Sequence, residues 1–384
     1  MISKKKQPGV PEQHATRAIF FVGGFGAASW APLVPLLKAR LGIAEDALGM
    51  LLLCIGIGSL LTMPLSGAAA VRLGYRKVLT AAGLVYAALL LLLCTVSSFG
   101  MAVPLLLIFG ATMGCIDVVV NIQAVIVEKA AGRRLMSGMH ALWSVGGFAG
   151  AGLFGIWVGT FSLTPLLSTI IAAAIMVLVT LAASRHLLPY GGDAGGKLLA
   201  LPKGIVTFVG IIACIAFLVE GAIMDWGGVF LTTVRHFDMS LAGTAFTVFS
   251  AAMLTMRLFG DWTVQKLGQE RVVIGGSLLA VAGFLLVIFA AEPALLYLGF
   301  FAIGIGCANV VPVFFSLLGK QRVMPISLAV PAVSTLGYLG ILMGPAVIGF
   351  IAHQTSLYTA FGLLAFLVLL QSIIAAYVYR HILD

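Results

Sequence analysis

A chain of 384 residues that is 61% hydrophobic and only 9% charged departs from soluble domains, in which roughly a quarter of residues carry charge. Its net charge of +9 is spread singly and in small groups between long apolar runs, which excludes a nucleic-acid-binding face. Five cysteines without metal-ligand spacing, and the lack of a phosphate-cradling glycine loop, point to no metal and no cofactor.

A hydrocarbon core about 30 Å thick takes roughly 20 apolar residues of helix, and only helices or closed barrels satisfy their own backbone inside it. The apolar runs are helix-length. They predict twelve spans, at 15–37, 47–70, 78–97, 101–127, 136–159, 163–183, 205–230, 241–264, 272–290, 293–317, 326–351 and 358–382. The predicted fold is therefore an all-α membrane protein. Lys4, Lys5 and Lys6 ahead of the first run, with Gly26-Ala27-Ala28 inside it, imitate a secretory signal. Cleavage there would leave eleven spans, against the charge pattern, so the first run is read as an uncleaved helix.

Eighteen of the 22 Lys and Arg residues fall on one set of alternate connections. They include Arg72, Arg76 and Lys77 after the second span, Lys129, Arg133 and Arg134 after the fourth, and Lys266 and Arg271 after the eighth. Lys38, Arg40 and Arg235 lie on the other side and Arg257 inside the eighth span. Basic loops stay in the cytoplasm, so both termini are expected there, in a multi-pass membrane protein. The polar, glycine-rich stretch 184–204 contains Tyr190-Gly191-Gly192-Asp193-Ala194-Gly195-Gly196 and cannot span. It divides an N-terminal six-helix bundle, 1–183, from a C-terminal one, 205–384. Gly67 to Lys77 and Gly260 to Arg271 are half a chain apart, as in transporters built from two pseudo-symmetric bundles.

Gly67-Ala68-Ala69-Ala70-Val71-Arg72-Leu73-Gly74-Tyr75-Arg76-Lys77 resembles the loop Gly-x-x-x-Asp-Arg-x-Gly-Arg-Arg/Lys of the major facilitator superfamily. Gly67, Arg72, Gly74 and the basic end match, while Val71 and Tyr75 replace Asp and Arg. The resemblance implies the family's twelve-helix fold and a gating or structural role for Gly67, Arg72, Gly74 and Arg76. Arg257 and Asp261 are four residues apart on one predicted helix and can pair; the same role is expected of them.

Acids at membrane depth are the informative residues, because each costs roughly 2.5 to 3.5 kcal/mol on insertion scales and marks a protein-facing or wet position. Asp117, with Asn121 one turn on, lies near the middle of the fourth span, and Glu220 near the middle of the seventh. Desolvation disfavours an ionised carboxyl, so such acids can carry a proton. Asp225 is expected at the outer mouth or beside Arg235, and Glu128 in solvent at the end of the fourth span. Further candidates for solute contact are His140 and Trp143, three apart on the fifth span, and Asn309 in the tenth. Gln123, Trp30 and Trp226 are further cavity candidates, and the two tryptophans read first as interfacial anchors.

Asp117-Val118-Val119-Val120-Asn121 behind Gly110 and Gly114, His140-Ala141-Leu142-Trp143-Ser144-Val145-Gly146-Gly147, and Glu220-Gly221-Ala222-Ile223-Met224-Asp225-Trp226 resemble the fucose-permease-like and rhizopine-permease-like branch of that superfamily. For Asp117 the resemblance implies sugar recognition and proton coupling. The branch's second acid, late in the first helix, is absent from Trp30-Ala31-Pro32-Leu33-Val34-Pro35.

These readings converge on a secondary active transporter, not an enzyme. It would be a monomer in the lipid bilayer, moving a small neutral or cationic polar solute such as a sugar, polyol or amino-polyol together with protons. An exporter of amphipathic compounds is the alternative transporter reading, and a non-transporting receptor or scaffold the alternative outside that class.

Overall fold

The structure, a computed structural model, describes residues 8–43, 45–191, 201–237, 241 and 243–381. In chain order the helices are α1 (Val10–Trp30), α2 (Leu33–Leu41), α3 (Glu45–Leu73), α4 (Tyr75–Thr95), α5 (Phe99–Ala131), α6 (Met136–Gly159), α7 (Pro165–Ser184), α8 (Ile205–Val229), α9 (Thr244–Leu258), α10 (Gly260–Leu267), α11 (Gln269–Phe289), α12 (Pro293–Cys307), α13 (Val310–Leu318), α14 (Ile326–Gln354) and α15 (Leu357–His381). A π-helical turn, Phe230–Val234, closes α8.

Eleven stretches of the described residues are long and apolar enough to cross a membrane, with α1–α2 and α12–α13 each counting as one. The eighth predicted span, 241–264, is instead divided: α9 has 15 residues and stops at Leu258, and α10 restarts at Gly260.

Two of the breaks follow from proline. A proline offers no N–H to the carbonyl four residues earlier, and its ring crowds that carbonyl. At the first break, beside Pro32 and Pro35, the chain tightens and Val34 N donates to Ala31 O at 3.2 Å. At the second, Pro312 deprives Ala308 O of its helical donor, and α12 ends at Cys307 while α13 starts at Val310.

Contacts group the chain into two compact units, one within Met1–Arg133, Met139–Ala200 and Pro325–Pro331, the other within Arg134–Gly138, Leu201–Met324 and Ala332–Asp384. In the first, α3 runs tightly along α5, and α1 and α4 pack on α5 and α7. Small residues set that approach: a side chain at Gly110 would collide with Ile55 O, and Ser59 Oγ donates to Gly110 O at 2.7 Å. Phe20, Phe25, Tyr86 and Phe109 fill the interior. In the second, α11 packs on α12 and α15, and α9 on α12, around Phe230, Phe249, Phe284, Phe300 and Phe361. Leu61, Leu178, Phe289 and Phe350 face outward at 67%, 67%, 77% and 68% exposure. A lipid solvent permits that pattern and water does not.

The half-chain repeat has backbone counterparts. Gly74 and Gly268, each just ahead of a helix, share φ 87° with ψ 148° and 152°, a left-handed region open to glycine. Arg40 donates to Leu93 O and Val96 O at the end of α4, and Arg235 to Val287 O and Ile288 O at the end of α11. In both, a cation meets the negative end of a helix.

Candidate functional site

In the first unit, the spacing of Asp117 and Asn121 places both on one face of α5. Asn121 is fully buried, and its Nδ2 donates to Asp117 O at 2.9 Å and to Asp117 Oδ1 at 3.2 Å. A backbone carbonyl can only accept, so the amide's orientation is fixed and its Oδ1 faces His140 Nε2 at 3.1 Å. His140 Nε2 therefore carries a proton, as the Nε2–H tautomer or as imidazolium. The ring of His140 is 9% exposed and packs on Phe20 with centroids 5.0 Å apart. Asp117 itself is half-buried. The three polar side chains thus form one chain from α5 to α6, ending at a half-buried carboxyl. Trp143, one turn beyond His140, lies against Gly23 and Gly24 of α1, where a larger side chain would collide with it.

In the second unit, Glu220 on α8 has a partner that its own helix does not reveal. Arg257 on α9 is 8% exposed and Glu220 32%, with Nη2 3.8 Å from Oε2. Arg257 Nε donates to Ala308 O at 3.1 Å, the carbonyl that Pro312 leaves without a helical donor. Asn309, the next residue, is 3% exposed, and neither its Nδ2 nor its Oδ1 has a partner among the described residues. Its oxygen lies against Gly260, where a Cβ would strike it and Ser137, so it is sealed in packing.

Arg257 and Asp261 each have partners away from one another. The Asp261 oxygens accept from Ser137 N and Gly138 N, both at 2.9 Å, covering free amides at the start of α6 and opposing the positive end of that helix. Gly67 lies against Ser327 O and Pro331, with no room for a Cβ; Ser327 O is the carbonyl that Pro331 leaves without a helical donor. Arg72 is exposed. Arg76 does more than mark a membrane edge: it donates from N to Leu188 O, from Nε to Leu187 O and from Nη2 to Arg185 O, fastening the segment after α7. Leu188 N donates in turn to Gln123 Oε1. Gly192 to Gly196 and Lys197, like Lys4 to Lys6, lie outside the described residues.

Two expectations need correction. Trp30 is 6% exposed and packs on Phe109, so it is not an interfacial anchor; Trp226 is partly exposed and lies against Gly349. Glu128 is buried at 6% exposure, because α5 continues through it to Ala131 and keeps it in the bundle. Asp225 is exposed, the first of the two places expected for it, and Arg235 takes carbonyls at the end of α11 and the rings of Phe230 and Tyr358. Arg257 meets Glu220 and Ala308 O, and the sequence signal for the second contact was a proline four residues after Ala308.

The sequence profile of the Major Facilitator Superfamily matches residues 18–321 and 209–382. An uncharacterized MFS-type transporter of Yersinia pestis is 47% identical over 366 residues, covering 94% of each chain. Membrane protein MosC of Rhizobium meliloti is 29% identical over 88% of this chain and 83% of its own length. Among solved structures, the E. coli fucose:proton symporter FucP superposes with a TM-score of 0.78 at 15% identity, over 96% of this chain and 98% of that one; that likeness concerns the fold. With helices, repeat and profile in agreement, the chain is a multi-pass membrane protein of the major facilitator superfamily, a transporter of small molecules with the twelve-helix fold of two pseudo-symmetric bundles.

Proposed function

We propose that the protein is a proton-coupled secondary transporter of a small neutral or cationic polar solute, of sugar, polyol or amino-polyol type, with Asp117 as the coupling carboxyl. The observation that carries this reading is the Asp117–Asn121–His140 chain. An amide can donate to a carboxyl oxygen in either protonation state, so a proton can come and go at Asp117 without leaving a buried group unpaired. Arg257 supports the charge class of the solute. Its charge is opposed by Glu220 and its Nε is used on Ala308 O, which leaves it poorly disposed to hold an anion. Trp143, partly exposed one turn beyond His140, suits the apolar face of a ring.

In this reading the two bundles, 1–183 and 205–384, alternate between inward- and outward-open states, and a protonated Asp117 favours the occluded one. The basic loops set the orientation, with both termini in the cytoplasm of a bacterial cell and the protein in its inner membrane as a monomer. Asp261 on the amides of α6 and Gly67 against Ser327 O and Pro331 act as gating contacts. A panel of sugars, polyols and amino-polyols, screened by thermal shift on purified protein, identifies the solute, since bound ligand raises apparent stability. In proteoliposomes, Asp117→Asn then abolishes accumulation driven by a proton gradient while solute exchange continues. Unchanged accumulation would remove Asp117 from coupling.

A further inference from the structure

The Glu220–Arg257–Ala308 arrangement does something that the transport reading does not require. Pro312 removes the N–H that would close the helix onto Ala308 O, and the guanidinium of Arg257 replaces it at 3.1 Å. The same guanidinium faces the carboxylate of Glu220 at 3.8 Å. One buried cation therefore holds two things, a glutamate that is one-third exposed and the open joint between α12 and α13. At that joint the Asn309 amide is buried, and neither polar atom has a partner among the described residues. Such a group costs free energy where it stands and gains from any rearrangement that gives it a partner.

We propose that Arg257 is a positioning residue that transmits the charge of Glu220 to the bend between α12 and α13: ionised Glu220 keeps Arg257 on Ala308 O, and neutral Glu220 releases it. A buried guanidinium without its counter-charge is strongly unfavourable, so neutralising Glu220 pulls Arg257 outward toward water. Ala308 O then loses its donor beside an amide already unsatisfied, and the joint moves. Cys307 closes α12, next to Ala308 at the joint. Of the other elements near α8, α13 has no ionisable side chain, α14 brings only Tyr338 and His353, and α15 has tyrosines, Arg380 and His381 toward its ends. Among the described residues, Arg257 from α9 is the ionised group placed beside Glu220. The inference goes beyond solute and proton transport through Asp117, and its test needs no solute.

Cys307 supplies the readout, being 6% exposed at the joint. In the full chain in lipid nanodiscs, with Cys54, Cys94, Cys115 and Cys214 replaced by alanine, Cys307 is labelled with N-ethylmaleimide. The parent should label slowly. Glu220→Gln should label roughly tenfold faster, the scale expected for losing a charge-assisted hydrogen bond at the joint, whereas Glu220→Asp keeps the charge and should stay near the parent rate. Arg257→Lys keeps a cation but lacks the fork that reaches both partners, and should label fast. A parent-like rate in Glu220→Gln or a fast rate in Glu220→Asp overturns the proposal. If Glu220→Gln does not give monodisperse protein, Arg257→Lys takes its place, and a parent-like rate there overturns it too.

Discussion

The two units of this transporter each place one acid at mid-helix, and they hold it by different chemistry. Asp117 is met by the Asn121 amide, backed by His140; Glu220 is met by the Arg257 guanidinium. A proton added beside a neutral amide changes little around it, whereas a proton added beside a buried cation leaves that cation unopposed. The first arrangement suits a site that is filled and emptied in every cycle. The second suits a site whose charge is tied to the shape of its surroundings.

Breaking the second arrangement should have the largest effect on stability. Arg257→Gln leaves Glu220 without its cation and Ala308 O without its donor, and should cost about 3 kcal/mol, the lower end for a broken buried pair because Glu220 is partly hydrated. Adding Glu220→Gln should restore part of the loss, and unfolding of the two single variants and the double variant in detergent measures that coupling. Costs that simply add would show that the two side chains do not act as a pair.

Asn121→Leu attacks the first arrangement. It strips the donor from Asp117 and the acceptor from His140 Nε2, and should cost about 2 kcal/mol through buried polar groups left unpaired. Substituting His140 by glutamine retains a donor toward Asn121 Oδ1 and should cost less than half as much; equal losses would mean that bulk at position 140, rather than the hydrogen bond, matters.

The smallest effect is expected from Pro312→Ala, which restores an N–H for Ala308 O and frees Arg257 from that duty. Stability should change by less than about 1 kcal/mol, since a net hydrogen bond is worth about that much. Amide hydrogen exchange at position 312 should show protection consistent with a bond across the joint, and a fast-exchanging amide there would argue that the break has another cause.

Much of this was legible in the chain itself. Apolar run lengths marked the spans, and the i,i+4 spacing of Asp117 and Asn121 announced their contact, because helix geometry alone brings such residues together. The glycines at 67 and 74 were visible as a repeat. Less legible were contacts between helices distant in sequence. Nothing local pairs Glu220 with Arg257 or joins Asn121 to His140, since those meetings depend on how helices pack. Glu128 and Trp30 misled for a related reason: composition places a charge or an indole near a helix end without saying which face it occupies. The division of the eighth span at Phe259 likewise depends on Gly260 fitting against Asn309, a tertiary contact invisible to a hydropathy window.

The central claim, that Asp117 carries the coupled proton, is tested most directly by measuring proton-driven accumulation and solute exchange side by side in proteoliposomes containing the parent or Asp117→Asn, with the solute that thermal shift identifies. The account predicts that accumulation in the variant falls to the level reached without a gradient while exchange persists. Accumulation at the parent level would contradict it.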